Sequence, residues 1–171
     1  MKTKFSTRNL VLFGLLICLE IILTRFLQLP VPMFTLSKDR ISLGFLPVCI
    51  GGMLFGPVGG GVIAALSDIL RAILLPYGGA INPLFTVTAT LKGVFYGVFL
   101  YKNTDWKRIL LVSLLLFIFV NVALNSAITA ISYGGTFLAR VAVKIWPAFV
   151  NFLLQIAILI PALPNLERRL R

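Results

Sequence analysis

The residues able to do chemistry in this chain are few. It carries 16 Lys and Arg, five Asp and Glu, and no His. Acids and bases that fall inside apolar runs therefore stand out. An ionisable side chain near the middle of a bilayer costs about 2.5–3.5 kcal/mol on the insertion scale, so it faces a cavity or a partner. Glu20, Asp68, Arg71 and Lys92 are such residues. Two acids and two bases can neutralise one another, and Asp68 and Arg71 are within i,i+3 reach on one helix. Such a set either ties helices together or holds a polar solute, and both readings stay open.

A second group is cationic. Arg25, Arg40, Arg140 and Lys144 fall near the ends of apolar runs, and only Asp39 offsets them locally. Their long stems could let them snorkel to lipid headgroups. They could equally form an outward-facing cationic mouth, where arginine offers a carboxylate a bidentate fork. Polar stripes accompany them. Asn121, Asn125 and Thr129 recur every four residues. Arg140, Lys144, Asn151 and Gln155 share roughly one helical face, and Asn82, Thr86 and Thr90 form a third stripe. Polar stripes in apolar helices point inward, toward a cavity or toward hydrogen bonds with other helices. Phe45, Phe85 and Tyr96, near these stripes, offer rings on which a flat ligand could stack. The candidate substrate-binding set is Arg25, Arg40, Phe45, Asp68, Arg71, Asn82, Thr86, Asn125, Arg140 and Lys144.

Other chemistries lack their parts. Five acids without histidine cannot readily supply a metal cluster, and Cys18 and Cys49 form no CxxC pair. Both cysteines read as small buried packing residues. The glycine-rich run Gly56 to Gly61 lacks the Lys-Ser/Thr of a phosphate loop, and no serine sits in a nucleophile elbow. The chain is expected to be no enzyme and to need no cofactor or metal. If it drives uptake, the energy comes from an ion gradient or another subunit.

Composition sets the elements that must position these residues. The chain has 171 residues, 59% of them hydrophobic, against roughly 45–50% for a soluble domain. A crossing takes about 20 apolar residues. The reading is an all-α integral membrane bundle of six transmembrane helices, one domain over residues 1–171. The spans run from about Asn9 to Leu29, through a hairpin from Arg40 to Asp68 broken at Gly56-Pro57, from Pro83 to Tyr101, from Ile109 to Ser132, and from Phe137 to Leu163 with a bend at Pro147. Gly52, Gly56 and Gly60, then Gly93 and Gly97, are four apart, the spacing that lets helix backbones approach in lipid. Gly14 and Cys18 repeat it on the first helix, for local packing or for docking a partner helix. The connections are Leu29 to Arg40, Pro76 to Pro83 and Gly134-Gly135. Glu20 interrupts the first apolar run, so the N-terminus reads as a retained helix rather than a signal peptide. The net charge of +11 reads as cations flanking helices on the cytoplasmic side, with both termini cytoplasmic, rather than as a nucleic-acid face.

Several segments together carry a resemblance. Asp39-Arg40 leads into SLGFLP (Ser42 to Pro47). LFGPVGG (Leu54 to Gly60), LSD (Leu66 to Asp68) and PYGGAINPLFTVTA (Pro76 to Ala89) follow. With the six-helix layout, these make the chain similar over nearly its whole length to the substrate-binding (S) components of energy-coupling factor (ECF) vitamin transporters, and most similar to the folate type. The resemblance implies a small protein of the prokaryotic plasma membrane that captures a vitamin at the outer side. It also implies a complex with a transmembrane coupling subunit, EcfT, and two cytoplasmic ATPases, with Gly14 and Cys18 on the docking face of the first helix. Folate has a flat pterin ring and a glutamate tail with two carboxylates. The cationic mouth suits the tail, and the deeper polar groups suit the ring. Another anionic vitamin such as pantothenate, or a small proton-coupled transporter titrating Glu20, stays open beside it.

Overall fold

The first apolar run forms helix α1, Thr7–Phe26, in a computed structural model that describes residues 7–26, 28–30, 40–74, 83–101 and 104–170. After α1 comes a short antiparallel ribbon, β1 (Gln28–Pro30) paired with β2 (Arg40–Ser42), in which Leu29 stands opposite Ile41. The sequence reading had only a loop here. Strands of three residues, one ending in proline, are too short to show alternation.

Helix α2 covers Phe45–Leu74 and contains one residue outside helical geometry, Gly56, at φ 75° and ψ −169°. That left-handed φ is open to glycine at no steric cost, and Pro57 pre-sets the next φ. The chain reverses there. A Cβ built on Gly60 would lie 2.9 Å from Gly52 Cα, although residues eight apart in a straight helix are separated by about 12 Å. The two halves of α2 therefore pack back on each other, as the hairpin reading anticipated.

Helix α3, Pro83–Leu100, lies against α2 in the most extensive pairing of the molecule. Glycines on both sides make this possible. A Cβ on Gly93 would meet the backbone of Gly60, and one on Gly97 would meet the backbone of Pro57. In lipid, apolar side chains gain nothing by leaving the solvent, so close backbone approach and dispersion carry helix association.

A single long span follows. Helix α4 (Trp106–Leu115) passes into a π-helical stretch, Leu116–Leu124, and then into α5, Asn125–Tyr133. Gly134 and Gly135, both at positive φ, turn the chain into α6, Phe137–Leu170. Helix α6 outruns the expected end at Leu163, although it contains Pro147, Pro161 and Pro164. The amides of Asn151 and Asn165 donate to the carbonyls of Pro147 and Pro161, one turn back.

Among the described residues, five helices are long and apolar enough to cross a membrane. The main core joins α2, α3, the α4–π span and α6 through Cys49, Met53, Tyr96, Leu100, Ile109, Leu116 and Leu159. A smaller cluster of Leu16, Ile17 and Ile63 seats α1 on α2, with Phe13 and Phe55 ring centroids 4.3 Å apart. Cys49 is buried as expected. Cys18 differs: it is exposed on α1, beside Gly14, whose Cβ would meet nothing within 4 Å.

Candidate functional site

The polar residues inside this apolar frame separate into two groups. The first lies between α1, α2 and α3. Asp68 accepts from Arg71 through Oδ1 and from Thr86 Oγ1 through Oδ2, the latter at 2.8 Å. Glu20, within electrostatic reach of both Asp68 and Arg71, accepts from Thr24 at 2.9 Å through Oε1, and its Oε2 has no hydrogen-bond partner among the described residues. Gly44, just before α2, packs so closely that a Cβ there would collide with Thr24 Oγ1. This group therefore joins three helices and fastens α1 to the start of α2.

Its main energetic link is the Asp68 carboxylate, which serves one cation and one hydroxyl. Asp68→Asn leaves Arg71 without its directly bonded counter-charge in a largely buried place. We expect a loss of about 2–3 kcal/mol of stability, and about 1 kcal/mol for Thr86→Val, which removes only a neutral donor. Thermal unfolding of the purified variants in detergent checks the order. A Thr86→Val loss equal to that of Asp68→Asn would contradict it.

The second group surrounds a cavity of about 150 Å³ between α3, the π stretch, the start of α5 and α6. Lys92, Asn121, Asn125, Lys144, Pro147, Ala148 and Asn151 line it. Among the described residues that line it, two are cationic, three are amides and none is acidic. In a low-dielectric surround such a wall favours an anion, because field lines are poorly screened there. The three amides add donors and acceptors that fix orientation. Lys144 Nζ is itself held by Thr129 Oγ1 at 2.5 Å and by the carbonyl of Asn125 at 3.2 Å. The volume is below the roughly 300–1,000 Å³ of a typical ligand pocket, so the cavity takes one portion of a drug-sized molecule.

Of the residues singled out in the sequence, Asn125 and Lys144 meet at this cavity, while Asp68, Arg71 and Thr86 meet in the first group. Arg140 bonds the Gly134 carbonyl at 2.9 and 3.2 Å, near the α5–α6 turn. Phe45 is half-buried against the main core, and Arg25 is half-buried in the last turn of α1. The Arg40 backbone pairs with Pro30. Asn82 lies outside the described residues.

Lys92, Asn121 and Asn151 were not in the candidate set. Depth alone groups Lys92 with Glu20, Asp68 and Arg71, but it lines the cavity with Lys144. A signal for this was present. Thr86, Gly93 and Gly97 share the α3 face that meets α2, and Lys92 is one residue, about 100°, away from that face.

The profile of the family described as ECF-type riboflavin transporter, S component, matches residues 4–168. A folate transporter FolT of Clostridium novyi (strain NT) is 37% identical over 153 residues, covering 89% of this chain and 81% of the relative. A folate transporter FolT of Leuconostoc mesenteroides is 27% identical over 154 residues, covering 88% and 75%. A crystal structure of FolT bound with folic acid superposes with a TM-score of 0.78 at 29% identity, covering 89% of this chain and 90% of that one.

Proposed function

The chain belongs to the family of ECF-type riboflavin transporter S components, and on that premise we propose that it is the folate-binding S component of an energy-coupling factor importer. The curated relatives are folate transporters, whereas the family description names riboflavin. The cavity chemistry favours the first. Riboflavin is uncharged at neutral pH, and folate carries two carboxylates. The observation that carries the reading is a cavity lined by Lys92, Lys144 and three asparagines without an acid among its described lining residues.

Depth orders the ligand. Lys144 lies seven residues into α6, about 10 Å from its start, and Asn151 about 20 Å. The pterin ring, with its amide-like edge, is placed deep against the Asn121 and Asn151 amides and Lys92. The glutamate tail runs outward past Asn125 and Lys144 toward Arg25, with Phe45 at the same end; Arg40 and Asn82 are retained as ligand residues on the sequence reading alone. Asp68, Arg71 and Thr86 support this end from the neighbouring seam, and Arg140 contributes through the α5–α6 turn. In this reading the two halves of α2 count as separate crossings, giving six. Both termini are cytoplasmic, since Lys107, Arg108 and the terminal cations then share that side. The exposed face of α1 with Gly14 and Cys18 docks the coupling subunit EcfT, and two cytoplasmic ATPases supply the energy. The membrane is the prokaryotic plasma membrane. Transport without those partners is not expected, which separates this reading from a proton-coupled carrier.

Calorimetric titration of the detergent-purified protein tests it. Folate and 5-formyl-folate are expected to bind, and riboflavin, thiamine and pantothenate to give no saturable heat. Saturable riboflavin or pantothenate binding without folate binding would reverse the assignment.

A further inference from the structure

Behind the cavity wall, α5 and α6 are joined by a closed ring of three hydrogen bonds. Lys144 Nζ donates to Thr129 Oγ1 at 2.5 Å and to Asn125 O at 3.2 Å, and Thr129 Oγ1 donates to the same carbonyl at 2.5 Å. Asn125 and Lys144 line the cavity, while Thr129, only 8% exposed, does not. A lysine ammonium on a four-carbon stem is otherwise a mobile point charge. Here its height along α6 is set by two acceptors on another helix. The hydroxyl is suited to this. Having donated its only proton to Asn125 O, it presents its lone pairs to Lys144. The carbonyl belongs to the residue at which the π stretch gives way to α5, so the ring sits at the junction that also places Asn121 and Asn125.

We propose that Thr129 is a positioning residue of the ligand site, fixing Lys144 where an anionic group of the ligand meets it without touching the ligand itself. This rests on the reading of the cavity as a folate site. The hydrogen bond from Lys144 to Thr129 is charge-assisted, and losing this one of its two acceptors lets the ammonium shift away from the ligand.

The test is a double-mutant cycle read by folate titration, with thermal unfolding of each variant alongside. Thr129→Val is expected to weaken folate binding about tenfold, the worth of one hydrogen bond to a charged group. Thr129→Ser, which keeps the hydroxyl, is expected to restore it. In a Lys144→Met background, Thr129→Val is expected to cost no more than about twofold further, because the partner it positions is gone. An equal loss in both backgrounds would make Thr129 a packing residue and overturn the proposal. So would unchanged affinity in the wild-type background. Should the valine variant not fold, Thr129→Cys, a weaker acceptor of similar shape, takes its place in the same cycle. A folded wild-type protein that binds no folate would instead defeat the cavity assignment, and that is seen before any variant is made.

Discussion

Gly93→Ala is expected to destabilise the protein far beyond what one methyl group suggests. A Cβ at Gly93 would meet the carbonyl and amide backbone of Gly60 and Gly61. Backbone atoms cannot rotate aside as a side chain can, so the helices themselves must separate. Overpacking a core that can adjust costs about 1–3 kcal/mol, and this seam has little room to adjust. The same interface holds Gly97 against Pro57 and Gly52 against Tyr96 and Gly97. Opening it at one level loosens the dispersion contacts along the most extensive helix pair in the molecule. We expect a loss of about 3 kcal/mol or more, equivalent to a drop in melting temperature on the order of 10 °C for a chain of this size. Gly14→Ala is the matched control. Its Cβ meets nothing within 4 Å, and alanine favours a helix over glycine by roughly 0.5–1 kcal/mol. Differential scanning fluorimetry in detergent decides between them. Equal melting temperatures for the two variants would mean that the seam tolerates separation.

This seam was largely legible in the sequence. Small residues four apart at Gly52, Gly56, Gly60, Gly93 and Gly97 announce close helix approach, and Gly56-Pro57 announces the reversal within α2. Both signals arise from local backbone sterics. What the sequence hid depends on azimuth and on tertiary partners. Placing Lys92 by depth put it with Asp68, yet depth says nothing about which side of α3 it occupies. The π stretch Leu116–Leu124 is apolar apart from Asn121, and no residue in it marks the wider turn. The continuation of α6 through three prolines is not anticipated by a proline rule alone. Arg140 and Lys144 looked equivalent, four apart on one face. The structure separates them, because the carbonyl of Gly134 captures the first and the α5 wall captures the second.

That separation leads to the second large effect, on ligand affinity. Lys92 and Lys144 are the two cations that line the cavity. Each is expected to make a charge-assisted hydrogen bond to bound folate, Lys144 to the glutamate tail and Lys92 to the pterin edge, worth about 1.5–3 kcal/mol because the ammonium is charged. Lys92→Met or Lys144→Met alone is then expected to weaken folate binding about 10- to 100-fold, and the pair together to bring it below calorimetric detection. Methionine keeps the length and apolar stem of lysine, so the loss reports charge rather than packing. Arg140→Met is expected to cost less, since its guanidinium is engaged by Gly134 near the turn. The lysines also predict an ionic signature. The association rate for wild type should fall as salt rises from 10 mM to 150 mM, because the Debye length shrinks from about 30 Å to about 8 Å. The double variant should lose most of that dependence. Stopped-flow quenching of intrinsic fluorescence by folate measures both quantities in one series. A double variant that retained wild-type affinity and salt dependence would place the anion outside this cavity, and with it the vitamin.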